Sequence, residues 1–250
     1  MSSRRLQSAT CPVPPATETR GKPRASPRLY RALRCDPQDQ ATRILLETET
    51  LLRIYGHRKI RVADVAEACG FSAANVYRYF SNRREILDTL ASHYLREAER
   101  TAFACAICRN SARDRLGGFL TGLNTALIFF FDSEPQVSEL LADAAAEEWP
   151  SYSHYDALVV RRIAKILTEA SASGEFRLEA DPDQEARRVK AAACALVEPD
   201  VIRLRRDKHD VCTGKALSRL IAAALLIRSV PPSGASPHDL CQTLPIGEMQ

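Results

Sequence analysis

Hydrophobic residues recur at every third or fourth position through most of the chain, which is the spacing of an amphipathic α-helix. At about 38–54 this spacing produces one apolar stripe, and Gly56 follows it as a C-cap residue would. The same pattern predicts further helices at about 62–69, 73–79, 83–107, 111–131, 134–148, 152–172, 182–198 and 215–229. The charged stretch 200–214 is predicted to be a loop. Because β-branched runs are scarce, we expect an all-α protein.

The two ends of the chain differ from this helical body in composition. Six of the 14 prolines fall in residues 1–38 and four in residues 231–250. Residues 1–38 also carry eight Arg and Lys against Glu18 and Asp36, a net charge of +6, so that of the total of +4 the remaining residues carry −2. We therefore expect a disordered basic arm over 1–37 and a disordered tail over 231–250.

The apolar runs and the cysteines bear on the compartment. The first ten residues, MSSRRLQSAT, contain no apolar core of a secretory signal. The longest apolar runs fall well short of the roughly 20 residues that a membrane span needs; they lie at 126–131, 191–197 and 221–227. The eight cysteines are scattered, so we expect free and mostly buried thiols in a reducing cytoplasm, and no membrane partner.

Residues 60–87 predict two short helices joined by a tight turn, which is a helix-turn-helix. The core face of the first helix would consist of small and apolar side chains, namely Val62, Val65, Ala66 and Cys69. Gly70 supplies the turn, and Ser72 is placed to cap the second helix, predicted over 73–79. Val76 and Phe80 would point back into the core.

The outward face of the second helix carries groups that recognise DNA. It holds Ala73, Ala74, Asn75, Tyr77, Arg78 and Tyr79. Asn can bond adenine, Arg can bond guanine and Ala can meet a thymine methyl group. Tyrosine hydroxyls, together with Arg83, suit phosphates. From periodicity alone, an ordinary helical hairpin with partly buried tyrosines remains an alternative.

Six spaced elements follow one another within residues 41–90. They are Leu51-Leu52, Gly56, Val65-Ala66, Gly70-Phe71-Ser72, Tyr77-Arg78-Tyr79-Phe80 and Arg83-Arg84-Glu85-Ile86. In order and spacing they resemble the DNA-binding domain of the TetR family of transcriptional regulators. The resemblance implies that phosphates are held by Ser72, Tyr77, Tyr79 and Arg83. It also implies that the operator is selected by Ala73, Ala74, Asn75 and Arg78.

One position departs from the pattern of the family. The N-cap of the first short helix is usually Thr, and this chain has Arg61. A cap worth about 1 kcal/mol is therefore expected to be missing. Since Arg61 ends the basic run that begins at His57, we expect it to contact a phosphate at the edge of the groove.

The resemblance implies an N-terminal three-helix helix-turn-helix domain, at 38–88. A long fourth helix would join it to a C-terminal helical ligand-binding and dimerisation domain, at 89–230. Wide apolar faces on the last two helices predict a dimer interface that includes Leu196, Val197, Leu220, Ala224 and Leu225, although both could simply be core helices. Clustered aromatic residues could line a ligand pocket or belong to the plain core; they include Phe129, Phe130, Trp149, Tyr152 and Tyr155.

The function that follows is a homodimeric, ligand-responsive repressor that binds a palindromic operator in double-stranded DNA. The effector is an unidentified small molecule, and no cofactor, metal or catalytic activity is expected. Two alternatives remain. Cys105 and Cys108 form a CxxC that could sense metal or thiol redox state, and the basic arm could bind DNA without sequence specificity.

Overall fold

The computed structural model describes residues 39–176, 178, 180–205 and 211–227. Over these residues the chain forms helices and contains no strand. The helices are α1 Gln40–Tyr55, α2 Val62–Cys69, α3 Ala73–Tyr77, α4 Arg83–Ile107, α5 Ala112–Ser133, α6 Pro135–Ala146, α7 Pro150–Ala172, α8 Pro182–Ala192, α9 Cys194–Val197, α10 Pro199–Leu204 and α11 Val211–Ile227. A 3-10 turn, His57–Lys59, follows α1. The predicted arm 1–37 and the tail 231–250 lie outside the described residues.

Local signals set both ends of α1. The Asp39 carboxylate accepts the backbone N–H of Thr42 at 3.1 Å, which satisfies one of the free donors of the first turn. At the other end Gly56 adopts a φ of 77°, a conformation that side chains with a Cβ rarely reach, and its N–H donates to Leu52 O at 2.9 Å. The predicted C-cap is therefore present.

Helix α4 runs through both halves of the protein. Its first turns, with Ile86 and Leu87, pack against residues of α1 and α2. Its later turns pack closely on α5: a Cβ placed on Gly122 would lie 3.0 Å from the Cα of Ala102. One continuous helix thus connects the first three helices to the larger helical body.

Helix α5 is the central helix of that body and packs against α4, α6, α7 and α11. Its inward residues Leu116, Phe119, Leu120 and Leu123 are fully buried. Among the described residues it is the one helix long and apolar enough to cross a membrane by length and composition. Because a buried core helix meets the same test, its packing within the body accounts for this composition.

The region after residue 182 differs from the predicted pattern. The helix expected over 182–198 is broken at Ala193, where a second short helix, α9, begins, and the predicted loop 200–214 contains α10 and the first turn of α11. Tertiary hydrogen bonds capture the last carbonyls of α9: Tyr155 donates to Val197 O at 2.9 Å and Asn124 donates to Leu196 O at 3.3 Å. Those partners come from distant helices, so these bonds at the end of α9 could not be predicted from the local sequence.

Candidate nucleic-acid interface

Helices α2 and α3 are joined as the sequence predicts. Gly70 has a left-handed conformation, with φ 65° and ψ 32°, and so turns the chain at the end of α2. Phe71 N–H then bonds to Ala66 O at 2.8 Å. The Ser72 hydroxyl accepts the backbone N–H of Asn75 at 3.2 Å and so caps α3.

Helix α3 exposes the face that was predicted to read DNA. Val76 is fully buried and Phe80 is 7% exposed, whereas Tyr77 is 53% exposed and Tyr79 is 38% exposed. The neighbouring outward residues Ala73, Ala74 and Arg78 are also exposed, and Asn75 is partly buried. The α-helix ends at Tyr77, earlier than predicted, because Arg78 and Tyr79 bond to carbonyls three residues back. Two large aromatic rings therefore face solvent beside a free guanidinium.

Gln40, in the first turn of α1, belongs to this surface and was not predicted. Its side-chain carbonyl accepts from the Asn75 amide and from the Tyr79 hydroxyl, both at 3.1 Å. These bonds hold two outward side chains of α3 against the start of α1. Nothing in the local sequence identifies Gln40, since its two partners lie 35 and 39 positions later in the chain.

Arg83, which was expected to contact a phosphate, makes two hydrogen bonds within the fold. Its Nε donates to Ile60 O at 2.6 Å, and Nη2 donates to His57 O. Partial burial lowers the pKa of the guanidinium. The side chain therefore ties the start of α4 to the segment between α1 and α2, and two of its donors are already used.

Arg61 occupies the N-cap position of α2, and its side chain is exposed. A guanidinium cannot accept a backbone N–H, so the usual capping bond to N3 is missing. The Asp64 carboxylate instead accepts the backbone N–H of Arg61 at 2.8 Å, which supplies the reciprocal half of a capping box. The missing threonine is thus partly replaced, and the Arg61 side chain remains available at the surface.

The basic run from His57 to Arg61 is only partly available to DNA. His57 is 4% exposed, and its Nε2 lies 2.9 Å from a carboxylate oxygen of Asp143 in α6. Arg58 donates from Nε to the same carboxylate at 3.1 Å. Only Lys59 and Arg61 keep free cationic side chains, because the first half of the run joins the α1–α2 segment to α6.

A second buried contact joins the two halves of the protein beside that segment. Arg53 of α1 lies 3.0 Å from Glu49 and 2.7 Å from Glu134, the residue that links α5 to α6. The Tyr94 hydroxyl of α4 donates to the fully buried Glu49. Burial, and then the neighbouring carboxylate, raises the pKa of Tyr94 well above its usual range.

The aromatic residues predicted to line a pocket are packed into the core. Phe130 meets Tyr94 edge to face, with ring centroids 5.4 Å apart. Phe129 is partly buried against Phe130, and the indole of Trp149 lies 4.3 Å beneath the guanidinium of Arg84.

The two tyrosines of this group are bonded within the same body. Tyr155 is fully buried and bonds to Val197 O, while Tyr152 donates to Glu198. None of these five residues lines the cavity that lies between α4, α5 and α7.

That cavity has a volume of about 220 Å³. Its apolar wall consists of Phe103, Ala106, Ile107 and Ile166. Three charged residues complete the lining, namely Arg115, Lys165 and Glu169. None of them was singled out from the sequence, because they come from three helices and share no motif.

The residues predicted for a dimer interface separate into two groups. Leu196 and Val197 are fully buried within one chain, so they are core residues and have no surface to offer a partner. On α11, Leu220 is 67% exposed and Ala224 is exposed. The side chain of Leu225 lies outside the described part of the structure.

Mostly buried cysteines were expected, but most of the described ones are exposed. Of those described, Cys69 alone is buried, and burial raises the pKa of its thiol to about 11. Cys105, Cys108, Cys194 and Cys212 are exposed. Over residues 39–176, 178, 180–205 and 211–227 no group of three or more His, Cys, Asp or Glu could hold a metal ion.

Comparison with known families matches two parts of the chain. The family described as "Bacterial regulatory proteins, tetR family" matches residues 44–90. The family described as "Tetracyclin repressor-like, C-terminal domain" matches residues 112–210. No curated protein gives a significant sequence match.

Solved structures share the fold. A TetR-family transcriptional regulator from Rhodococcus sp. is 25% identical, with a TM-score of 0.54, covering 74% of this chain and 98% of its own. SmeT, the repressor of a multidrug efflux pump of Stenotrophomonas maltophilia, is 16% identical, with a TM-score of 0.56 and coverage of 75% and 90%. FadR from Bacillus subtilis, in complex with stearoyl-CoA, is 16% identical, with a TM-score of 0.54 and coverage of 75% and 98%.

These matches agree with the geometry of the first three helices. A capped helix with exposed tyrosine and arginine side chains follows a glycine turn, and a long fourth helix leads into a helical body. The two family matches together span more than half of the chain. The chain therefore belongs to the TetR family of bacterial transcriptional regulators.

Proposed function

We propose that the protein is a ligand-responsive repressor that binds a palindromic operator as a homodimer. The observation that carries this proposal is the exposed face of α3, where Tyr77, Arg78 and Tyr79 point to solvent and the Tyr79 hydroxyl bonds only to Gln40 of the same surface. Aromatic rings that face solvent beside a cation leave apolar surface in contact with water, and a bound partner would cover that surface. We assign DNA binding to residues 38–88 and ligand binding and dimerisation to residues 89–230.

The contacts divide into those that position the protein and those that read bases. We assign the phosphates to Ser72, Tyr77, Tyr79 and Arg61, since hydroxyls and an exposed guanidinium fix register without reading sequence. We assign base reading to Ala73, Ala74, Asn75 and Arg78. Two copies of α3 would then occupy successive major grooves about 34–36 Å apart.

Two polar contacts between the domains offer a route for the effector. His57 and Arg58 join the α1–α2 segment to Asp143 of α6, and Arg53 joins α1 to Glu134. A ligand that moved α6 would therefore displace the reading domain. It needs to favour the spacing that cannot bind DNA by only a few kcal/mol.

The relatives support this regulatory cycle. SmeT is a repressor, and FadR of Bacillus subtilis was solved with stearoyl-CoA bound. Both share the fold of this chain over three quarters of its length. From these relatives we infer repression and a response to a small molecule. The chemistry of the ligand is inferred instead from the lining of a cavity in this chain.

Selection of bound DNA from a random pool tests the operator. Against the selected site, Asn75→Ala and Arg78→Ala should each reduce base discrimination, by roughly 1–3 kcal/mol at one position. Arg113→Ala is the matched control, because it removes an exposed arginine at the start of α5. If both α3 variants kept affinity and base preference, the assignment of the reading residues would be wrong.

Sedimentation of the full chain tests the homodimer. Leu220→Arg places a charge on the exposed face of α11 and should shift the protein toward monomer. Leu204→Arg is the control, since Leu204 is 84% exposed on α10. An unchanged dimer in Leu220→Arg, or a monomeric wild-type chain on its operator, would contradict the proposed interface.

We further propose that the protein works in the cytoplasm and is not an enzyme. The rival functions predict different results. A metal sensor using Cys105 and Cys108 would contain bound metal in the purified chain, and a non-specific binder would lose its DNA affinity when residues 1–37 are deleted. We expect metal-free protein, and specific operator binding that survives the deletion.

A further inference from the structure

The cavity between α4, α5 and α7 combines an apolar wall with an excess of positive charge. The aromatic ring of Phe103 and the side chains of Ile107 and Ile166 form the wall. Lys165 and Arg115 are cations, and Glu169 is the one carboxylate in the lining. The lining thus has a net charge of +1 at neutral pH, which favours a ligand with a single negative charge and an apolar portion.

The two cations of the lining are paired to different degrees. Arg115 Nη1 lies 2.8 Å from Glu169 Oε2, which neutralises one positive charge. Lys165 makes no ion pair with any described residue, and its ammonium lies 5.8 Å from the centroid of the Phe103 ring. Arg162, which also lies over that ring, is already bonded to the buried Glu99. Lys165 is therefore the cation left for a ligand.

Arg115 contributes a second unused donor. Its Nε is buried and has no acceptor within the described protein. A buried N–H without a partner has lost its hydrogen bonds to water and has gained no acceptor in the protein, which is unfavourable. An anionic oxygen in the cavity would supply the missing acceptor.

The size of the cavity limits the ligand. At about 220 Å³ it is smaller than the roughly 300–1,000 Å³ of sites for drug-sized molecules. A neutral apolar ligand would leave the Arg115 Nε and the Lys165 ammonium unpaired, and a dianion would approach Glu169. A short carboxylate satisfies both donors with one charge and places its chain against Phe103.

We propose that this cavity binds a small organic monocarboxylate with a short aliphatic or aromatic portion, and that this class of compound is the effector. The inference deepens the proposed function, on which its regulatory half rests. The carboxylate lies between Arg115 and Lys165. The apolar portion lies against Phe103, Ile107 and Ile166. Because the cavity is bounded by α4, the occupied state acts on the same helix whose first turn joins the reading domain.

Calorimetric titration of the full chain tests the site directly. The probes are hexanoate, hexan-1-ol, which lacks the charge, and acetate, which lacks the apolar chain. We expect hexanoate to bind at least about tenfold more tightly than either comparison compound, since each lacks one half of the recognised chemistry. Equal binding of hexan-1-ol and hexanoate, or no binding of hexanoate at 10-fold to 100-fold molar excess over about 100 μM protein, would overturn the proposal.

Two variants locate the binding in this cavity. Lys165→Met keeps the length of an exposed side chain and removes its charge, and it should weaken hexanoate binding about tenfold. Arg161→Met is the matched control, because Arg161 is exposed one turn earlier on α7 and does not line the cavity. Ile107→Trp fills the cavity from an exposed position and should abolish binding. Wild-type affinity in both Lys165→Met and Ile107→Trp would overturn the assignment.

Operator binding, measured with and without hexanoate, distinguishes failure of the carboxylate site from failure of the proposed DNA-binding function. Specific operator binding without any hexanoate binding overturns the carboxylate site and leaves the DNA-binding function intact. Hexanoate binding that leaves operator affinity unchanged within twofold supports the site and overturns its role as the effector site. Release of the operator by hexanoate, lost in Lys165→Met and retained in Arg161→Met, supports both.

Discussion

Replacing Arg83 by methionine tests whether this side chain holds the fold or holds DNA. Methionine keeps an apolar stem of similar length and removes the guanidinium, so the bonds to Ile60 O and His57 O are lost. A hydrogen bond from a charged donor contributes roughly 1.5–3 kcal/mol. Since the side chain is only partly buried, water competes, and we take the low end for each bond, about 3 kcal/mol in total.

That loss is large enough to measure. For a chain of this size 1 kcal/mol corresponds to roughly 2–4 °C in Tm, so Arg83→Met should unfold about 6–12 °C below the wild type. Thermal unfolding followed by circular dichroism gives the shift, and a salt titration of operator binding gives the number of phosphates contacted. Arg78→Met is the control for the thermal measurement, because Arg78 is exposed and makes no side-chain hydrogen bond to a described residue.

The two roles of Arg83 predict opposite results. A clamp lowers Tm and leaves the salt dependence of the residual binding unchanged. A phosphate contact leaves Tm unchanged and reduces the salt slope by about one unit. An Arg83→Met protein that melts with the wild type and shows the reduced slope would refute the reasoning from the structure.

Three further perturbations act at other points of the fold. Gln40→Ala frees Asn75 and Tyr79, so binding to the selected operator should weaken by a few fold and discrimination at the base assigned to Asn75 should decrease. Unchanged discrimination in the same assay would contradict this positioning role. Burial, followed by the charge of Arg96, lowers the pKa of His93 from its usual value of 6.5. As the pH falls, the unfolded chain therefore takes up this proton before the folded chain does, and the free energy of unfolding should decrease as the pH drops through 6.5. Urea unfolding across this range should show a smaller decrease in His93→Gln. Because burial raises the pKa of Cys69 to about 11, its thiol should stay unalkylated in native protein at pH 8 while the exposed cysteines react, as peptide mass spectrometry would show.

The local structure of the helix-turn-helix could be predicted from sequence because its signals are local. Gly70 adopts the left-handed turn and Ser72 caps α3 through contacts within a few residues of chain. Val76 and Phe80 are buried as their helical spacing predicts. The same holds for the C-cap at Gly56. The end of α3 was the exception, since the backbone N–H groups of Arg78 and Tyr79 bond to carbonyls three residues back.

The role of Arg83 could not be predicted from local sequence. A guanidinium beside the recognition helix matches a phosphate contact as well as it matches a structural clamp. The choice depends on carbonyl groups 23 and 26 residues earlier in the chain, which approach Arg83 only in the folded protein. Likewise the basic side chains of His57 and Arg58 are turned to Asp143, more than 80 residues away.

The C-terminal domain shows the same division on a larger scale. Helical periodicity identified apolar faces, but an apolar face can serve as core, as pocket wall or as subunit interface. Only tertiary packing buried Leu196 and Val197 in the core and left Leu220 at the surface. Packing also placed Arg115 and Lys165 beside an apolar cavity.

The sequence by itself therefore determined the helical class, the capped turn and the exposed face of α3, because backbone conformation and side-chain spacing within one or two helical turns encode them. The tertiary structure decided which cations form ion pairs and hydrogen bonds within the fold, which apolar residues are internal, and where a cavity lies between the helices. Those outcomes depend on distances between residues far apart in the chain, and no local pattern records such distances.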